Sequence, residues 1–361
     1  VSTNLQTAPK AKPSAMRSQL VGARLPKFAV PLTAIVGIAL AIGFKYLLSW
    51  SGWSTTVVAA AVLFVIVLTG WSFSVEGRRR AKDRLASTLI YACFVAAVVP
   101  LVLILVYIVQ RGWPALSANF FSHSMAGVGP DQPGGGIYHA LVGTLEQVAL
   151  AAVIALPVGI FTAIYLVEYG KGAFARAVTF FVDVMTGVPS IVAGLFVYTF
   201  LLLGTGARPF GFAGSLALAI LMIPVAVRSS EEMLRLVPRD LRDASLALGV
   251  PKWRTITKIV LPTAMSGLIT SALLAIARVA GETAPLILLV GYADRINFNP
   301  FSGDQGTLPM MVWDQLGKRT GNSGEFTDGR AWGAALTLVL LVLLLNVIAR
   351  LLARLAQPKR G

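Results

Sequence analysis

Between two strongly apolar runs stands Glu231-Glu232-Met233-Leu234-Arg235-Leu236-Val237-Pro238-Arg239-Asp240-Leu241-Arg242-Asp243-Ala244-Ser245-Leu246-Ala247-Leu248-Gly249-Val250-Pro251-Lys252-Trp253-Arg254. Pro238 suits a first helical position, where the missing N–H has no intrahelical partner to lose. Gly249 suits the left-handed position just past a helix end, and Pro251 follows two residues on. Leu241, Ala244 and Leu248 recur at spacings of three and four, so they share one helical face, while Arg239, Asp240, Arg242 and Asp243 fall largely elsewhere. The stretch predicts a short amphipathic helix bounded at both ends, then a second helix from near Lys252 that enters the next apolar run. Three readings compete: a plain connector, a DNA-binding helix-turn-helix, and a docking knob whose apolar ridge fills a partner's groove. Tethering between apolar runs on both sides weighs against DNA.

Outward from this loop the chain is overwhelmingly apolar. It has 361 residues, 56% of them apolar and 13% charged, with mean hydropathy +0.75. Soluble domains carry about a quarter charged residues, so composition alone excludes a soluble enzyme and points to an integral membrane protein. Eight runs are long enough to span a bilayer: 28–50, 53–74, 86–110, 142–167, 178–203, 212–230, 263–291 and 331–355. The first two are joined by little more than Ser51-Gly52, a tight hairpin. The run 263–291 is long and interrupted by Arg278 and Glu282, which implies tilt or an end outside the hydrocarbon. Ala39-Leu40-Ala41 superficially fits a signal cleavage site, but the apolar run is too long for a signal core, so an uncleaved span is expected.

The net charge of +15 could suggest nucleic acid, but its distribution follows topology instead. Base concentrates in alternate segments: Lys10, Lys12, Arg17, Arg24 and Lys27; Arg78, Arg79, Arg80, Lys82 and Arg84; Lys171 and Arg176; Arg235, Arg239, Arg242, Lys252, Arg254 and Lys258; and Arg354, Lys359 and Arg360. The intervening segments 111–141, 204–211 and 292–330 are poorer in base for their length. Both termini are therefore expected on the cytoplasmic side. The organisation read from this is a basic tail at 1–27, a two-span hairpin with its basic loop at 28–84, a first core span and outer loop at 85–140, the remaining spans over 141–355, and a short tail at 356–361.

Charges within the spans are functional candidates because each is costly in hydrocarbon. Arg278 and Glu282 are four apart, as if on one helix face; they read as a self-neutralising pair or as an anion contact. Glu146 reads as a partner-facing structural charge, Asp183 as half of a pair with a basic loop residue, and Lys45 as a snorkelling side chain. Gly187 and Pro189 are expected to break the fifth span. His123 and His139 lack the neighbours of a metal site, and the lone Cys93 can form no intrachain disulfide. No Gly-x4-Gly-Lys-Ser/Thr phosphate loop, His-Glu-x2-His or Gly-x-Ser-x-Gly string occurs, so neither ATP hydrolysis nor a membrane hydrolase is expected of this chain.

The loop resembles the EAA loop of ATP-binding-cassette importer permeases: Glu-Ala-Ala, three residues, Gly, nine residues, Ile, one residue, Leu-Pro. Here stand Asp243-Ala244-Ser245, three residues, Gly249, nine residues, Ile259, one residue and Leu261-Pro262. Asp for Glu keeps the charge and Ser for Ala keeps the size. Ala277-Arg278-Val279-Ala280-Gly281-Glu282-Thr283-Ala284-Pro285 is similar to the Arg-x3-Glu-Thr-Ala-Pro segment of the phosphate-specific transport permeases. Gly134-Gly135-Gly136-Ile137 with Val142-Gly143-Thr144-Leu145, and Gly187-Val188-Pro189-Ser190-Ile191-Val192, resemble two further segments of that family, in its PstA-type branch. The resemblance covers about 85–355.

That resemblance implies an all-α integral membrane protein with the type I ABC importer permease fold: a six-span core plus an N-terminal two-span hairpin, eight spans in all. It implies that 231–262 is the coupling loop, with Arg239, Asp240, Leu241, Asp243, Ala244, Ser245, Leu248 and Gly249 engaging an ATPase. It also implies that Arg278, Glu282 and Thr283 line the path of inorganic phosphate, Arg278 offering a planar fork of donors. The implied partners are a PstC-type permease subunit, a PstB-type ATPase dimer and a PstS-type phosphate-binding protein, with membrane lipid and no nucleic acid. No cofactor is expected in this chain, since ATP and Mg would sit in the ATPase, and the expected location is the plasma membrane. A permease for another oxyanion, a proton-coupled carrier and a non-transporting sensor subunit are the rival readings.

Overall fold

The computed structural model describes residues 24–50, 52–319 and 324–355. Most of the expected basic tail, Ser51 of the hairpin turn, and the tail at 356–361 lie outside them. Among the described residues the chain is helical, without a strand, and it divides into two units, 1–105 and 106–361.

In the first unit, α1 (Ala29–Leu47) and α2 (Trp53–Glu76) form the expected hairpin, and α3 (Arg78–Gly112) begins. The buried positions of α1 are Ala29, Thr33, Gly37 and Ala41, a stripe of small residues at every fourth position. In a bilayer such a stripe lets backbones approach closely, which substitutes packing for a missing hydrophobic drive. Lys45 Nζ lies 3.5 Å from the centre of the Trp53 ring, so its charge meets an aromatic face rather than only snorkelling. At the opposite end the Glu76 carboxylate, 3% exposed, accepts from Leu25 N at 2.9 Å, Ser72 Oγ at 2.7 Å and the Arg84 guanidinium at 2.8 Å.

The second unit holds α4 (Ala118–Ser122), α5 (Tyr138–Ile164), α6 (Gly172–Thr186), α7 (Ser190–Val197), α8 (Gly211–Arg235), α9 (Arg239–Ala247), α10 (Lys252–Thr255), α11 (Leu261–Ala280), α12 (Ala284–Leu289), α13 (Leu308–Gly317) and α14 (Gly324–Leu355). Wider π-helical turns extend α5 to Tyr169 and α7 to Leu203 and join α10 to α11. The α8 helix is the centre: 61% of its most apolar stretch is buried, against 28% or less in the other spans. Ala213, Ala217, Ala219 and Ala226 supply small contact surfaces on it, and α5 and α11 pack alongside.

Among the described residues seven helices are long and apolar enough to cross a membrane; the expected fifth span is instead the pair α6 and α7, bent by 106°. Gly187-Val188-Pro189 causes the bend, because proline has no N–H to continue the ladder and biases the residue before it away from helix. The run 263–291 is not one helix either. The α11 helix ends at Ala280 with Gly281 as its cap, and α12 restarts with Pro285 in its first turn. A continuous helix would drive the Pro285 ring into the Gly281 carbonyl. Glu282 therefore lies beyond the end of the helix that carries Arg278, and the expectation of a shared helical face is corrected. The segment 292–330 also departs from a plain outer loop: α13 buries Leu308, Met310 and Met311, and Leu308 N donates to Thr144 Oγ1 at 2.8 Å.

Candidate functional site

The polar loop folds as its punctuation dictates. Pro238 caps α9 in an extended conformation, one residue before the helix rather than at its first position. Beyond the last turn Gly249 takes φ +74°, its N–H donates to Leu246 O at 2.9 Å, and Val250 N–H donates to Ser245 O at 3.2 Å. These two bonds form the glycine-terminated Schellman motif, which satisfies carbonyls that a helix end leaves open. Leu241, Ala244 and Leu248 are all exposed, Leu248 at 83%, so the ridge read from the spacing stands free on this chain. Arg239, Asp240, Asp243 and Gly249 are exposed too.

Two residues of this loop face the other way. Ser245 is buried, and its hydroxyl lies 2.9 Å from Thr255 Oγ1, tying α9 to α10. Arg242 donates to Glu168 Oε1 at 2.9 Å, Val237 O at 2.6 Å and Leu234 O at 2.9 Å. Glu168 is 7% exposed, so this is a nearly buried pair with its remaining donors used on backbone carbonyls. Arg242 fastens α9 to the end of the fifth α-helix and its π-helical turn; it is an anchor, not part of a charged rim. Lys252 adds a bond from Nζ to Glu168 O and sits 4.8 Å from the Tyr169 ring. Beneath α9 these groups line a cavity of about 750 Å³ in which Lys171, Arg235, Arg239, Arg242 and Lys252 outnumber Glu168 and Asp243.

The two helix breaks are brought together. A Cβ built on Gly194 of α7 would lie 2.8 Å from Pro285 Cα, so only glycine permits α7 to pack this closely on α12. Arg278 occupies the last turn of α11, where the carbonyl end of the helix dipole favours a cation. Its side chain is exposed, Glu282 and Thr283 are half-buried, and Gly281 borders open space. Among the described residues Arg278 and Glu282 form no ion pair with each other. Arg278, Glu282 and Thr283 thus stand around one discontinuity, at the end of one helix and the start of another.

A charge cluster that sequence reading missed braces the bent span. Asp183, on α6 before the bend, pairs with Arg228 of α8; Arg228 also donates to Glu231 Oε2 at 2.8 Å, and Glu231 accepts from Arg235. The partner of Asp183 is a residue within a span, not a basic loop residue as expected. Arg228 fell inside the apolar run 212–230, and a guanidinium there was itself the available signal. Toward the outer side, Glu146 Oε2 accepts from Gln305 Nε2 at 2.5 Å, and Gln305 Oε1 accepts from the buried Gln147 at 2.9 Å, which places Glu146 in a network inside this chain. His139 is buried with Nε2 3.4 Å from Tyr292 Oη, while His123 is exposed beside Asn119 O. Burial holds the Tyr292 phenol above its ordinary range, with Asp314 and Asp294 adding to the shift; burial likewise raises the Asp294 carboxyl.

A family model described as "binding-protein-dependent transport system inner membrane component" matches residues 155–361. "Phosphate transport system permease protein PstA 1" of Mycobacterium tuberculosis (strain CDC 1551 / Oshkosh) is 49% identical over 284 residues, covering 78% of this chain and 92% of that protein. The chain belongs to the PstA permease family. "Phosphate transport system permease protein PstA" of Mycobacterium leprae is 49% identical over 75% of this chain and 88% of that protein, and its namesake in Yersinia pestis is 38% identical over 76% and 90%. PstA membership accounts for a multi-span, all-helical ABC importer permease that is not itself an enzyme.

Proposed function

We infer that this chain is the membrane-spanning permease subunit of an ATP-driven importer of inorganic phosphate, working by alternating access. The observation that carries the reading is the 49% identity across 92% of a protein named as a phosphate transport permease. Two features of the fold support it. The exposed Leu241, Ala244 and Leu248 ridge, with Arg239, Asp240 and Asp243 around it, is held rigidly by Arg242 and Ser245 and suits docking into a PstB-type ATPase dimer. That dimer would bind ATP and Mg; no cofactor is assigned to this chain. When the ATPase closes, α9 moves as a unit, and the π-helical turn into α11 carries that motion toward Arg278.

At the break, Arg278 offers two parallel N–H donors to a phosphate oxygen pair, which a point charge cannot match. Glu282, on the following turn of chain, weakens the hold so that the anion can leave, as a conducting site requires. Thr283 supplies a neutral hydroxyl. A PstC-type subunit completes the pathway, a PstS-type binding protein delivers phosphate from outside, and both termini lie on the cytoplasmic side of the plasma membrane. The test is uptake of labelled phosphate by the reconstituted complex in proteoliposomes, with ATP inside and loaded binding protein outside. Uptake should require both and resist competition by sulfate and molybdate. Uptake driven by a proton gradient without ATP, or equal competition by sulfate, would overturn the reading.

A further inference from the structure

The first unit contains an apolar groove that the permease reading does not use. It runs for about 660 Å³ between α2 and the start of α3, lined by Ala61, Val65 and Leu68 on one wall and Leu89, Ala92 and Val95 on the other. The helices splay here: α2 packs on α1 but makes little contact with α3. At the basic end of the groove, where Arg84 and Ser87 line it, a second, polar cavity of about 420 Å³ opens. Arg84 and Ser87 line both, so the apolar stem and the polar mouth adjoin. Arg24, Arg80 and Arg84 surround the mouth together with Glu76 and Asp83. Glu76 is already saturated by Leu25 N, Ser72 and Arg84, and Arg84 spends only Nε and Nη2 on it. Three arginines therefore meet two carboxylates at the mouth.

We propose that this site binds one anionic phospholipid, with an acyl chain in the groove between α2 and α3 and the phosphate at the mouth. Charge complementarity selects the occupant. A second protein helix would need an apolar partner but not the arginines, and a free phosphate would need the arginines but not the groove; only a lipid uses both. The cytoplasmic position expected for residues 76–87 matches this, since anionic lipid there attracts juxtamembrane base. Asp83 opposes the anion and favours a headgroup with a single charge, such as phosphatidylglycerol, over one carrying several.

The test compares lipid retained on the full complex purified in mild detergent, by native mass spectrometry, after exchange against equal phosphatidylglycerol and phosphatidylcholine. The wild type should retain one phosphatidylglycerol preferentially. The substitution Arg24→Gln leaves the Glu76–Arg84 pair intact and should weaken that preference roughly fivefold, at the usual worth of one surface cation. Ala92→Trp fills the groove without altering charge and should abolish retention. Retention in Ala92→Trp at the wild-type level would show a diffuse annulus of lipid and overturn the site. Undiminished preference in the arginine variant, displacement of lipid by inorganic phosphate, or a groove covered by another chain of the complex would overturn it equally.

Discussion

Arg278 sits three residues before a helix cap, and that position separates its two readings. A self-neutralising pair with Glu282 needs both side chains on one helical surface, and the helix ends at Ala280. Arg278→Lys keeps the charge but removes the fork. Phosphate uptake should fall roughly tenfold or more, the worth of a lost charge-assisted hydrogen bond, while complex assembly is unchanged. Uptake near wild type would exclude substrate contact. The double substitution Arg278→Gln with Glu282→Gln should not restore uptake; recovery would revive the structural pair. Arg242 is the other decisive residue. Arg242→Ala leaves Glu168 buried without its cation, a cost of about 3 kcal/mol or more. Amide exchange over 239–247 should accelerate, and stimulated ATP hydrolysis should uncouple from transport. Unchanged exchange would mean that Ser245 and Thr255 hold α9 without help.

Elements show what could be read in advance and what could not. The α9 helix, its exposed ridge and its glycine cap follow from local chemistry, because proline and glycine act within a turn or two of themselves. The bend between α6 and α7 was visible for the same reason at Gly187 and Pro189. The end of α11 carried the same local signal in Gly281 and Pro285, but the apolar run to residue 291 made it read as one span. The Arg242–Glu168 and Arg228–Asp183 pairs were not visible, since their members are 74 and 45 residues apart and meet only through tertiary packing. Gly249→Val tests the element most directly. A β-branched residue at φ +74° costs on the order of 1–2 kcal/mol, so α9 should tilt or fray while the spans insert normally. The complex should then lose its ATPase on purification, or keep it with hydrolysis that no longer responds to loaded binding protein. Normal co-purification with normal stimulation would remove Gly249 from the coupling path.

At the scale of the whole molecule, the chain divides into two units, and every group proposed here for transport falls in the second. The second unit contains α9 with its exposed ridge, the paired breaks at Gly194 and Pro285, and Arg278; the first contains the hairpin and the basic-mouthed groove. Removing residues 1–80 deletes α1, α2 and the first residues of α3 but none of the groups assigned to phosphate or to the ATPase. Arg84 loses Glu76, yet it stands in the first turns of α3, where a guanidinium can reach water or headgroups. Lys82 and Arg84 remain to orient the new amino terminus, with fewer bases than before. Phosphate uptake per correctly inserted complex should therefore match the full chain, and selective retention of phosphatidylglycerol should disappear. Insertion and orientation are checked first by protease accessibility, so that a topology defect is not mistaken for a transport defect. Loss of uptake in correctly oriented complexes would place the hairpin within the transport machinery and end the separation of the two units by function.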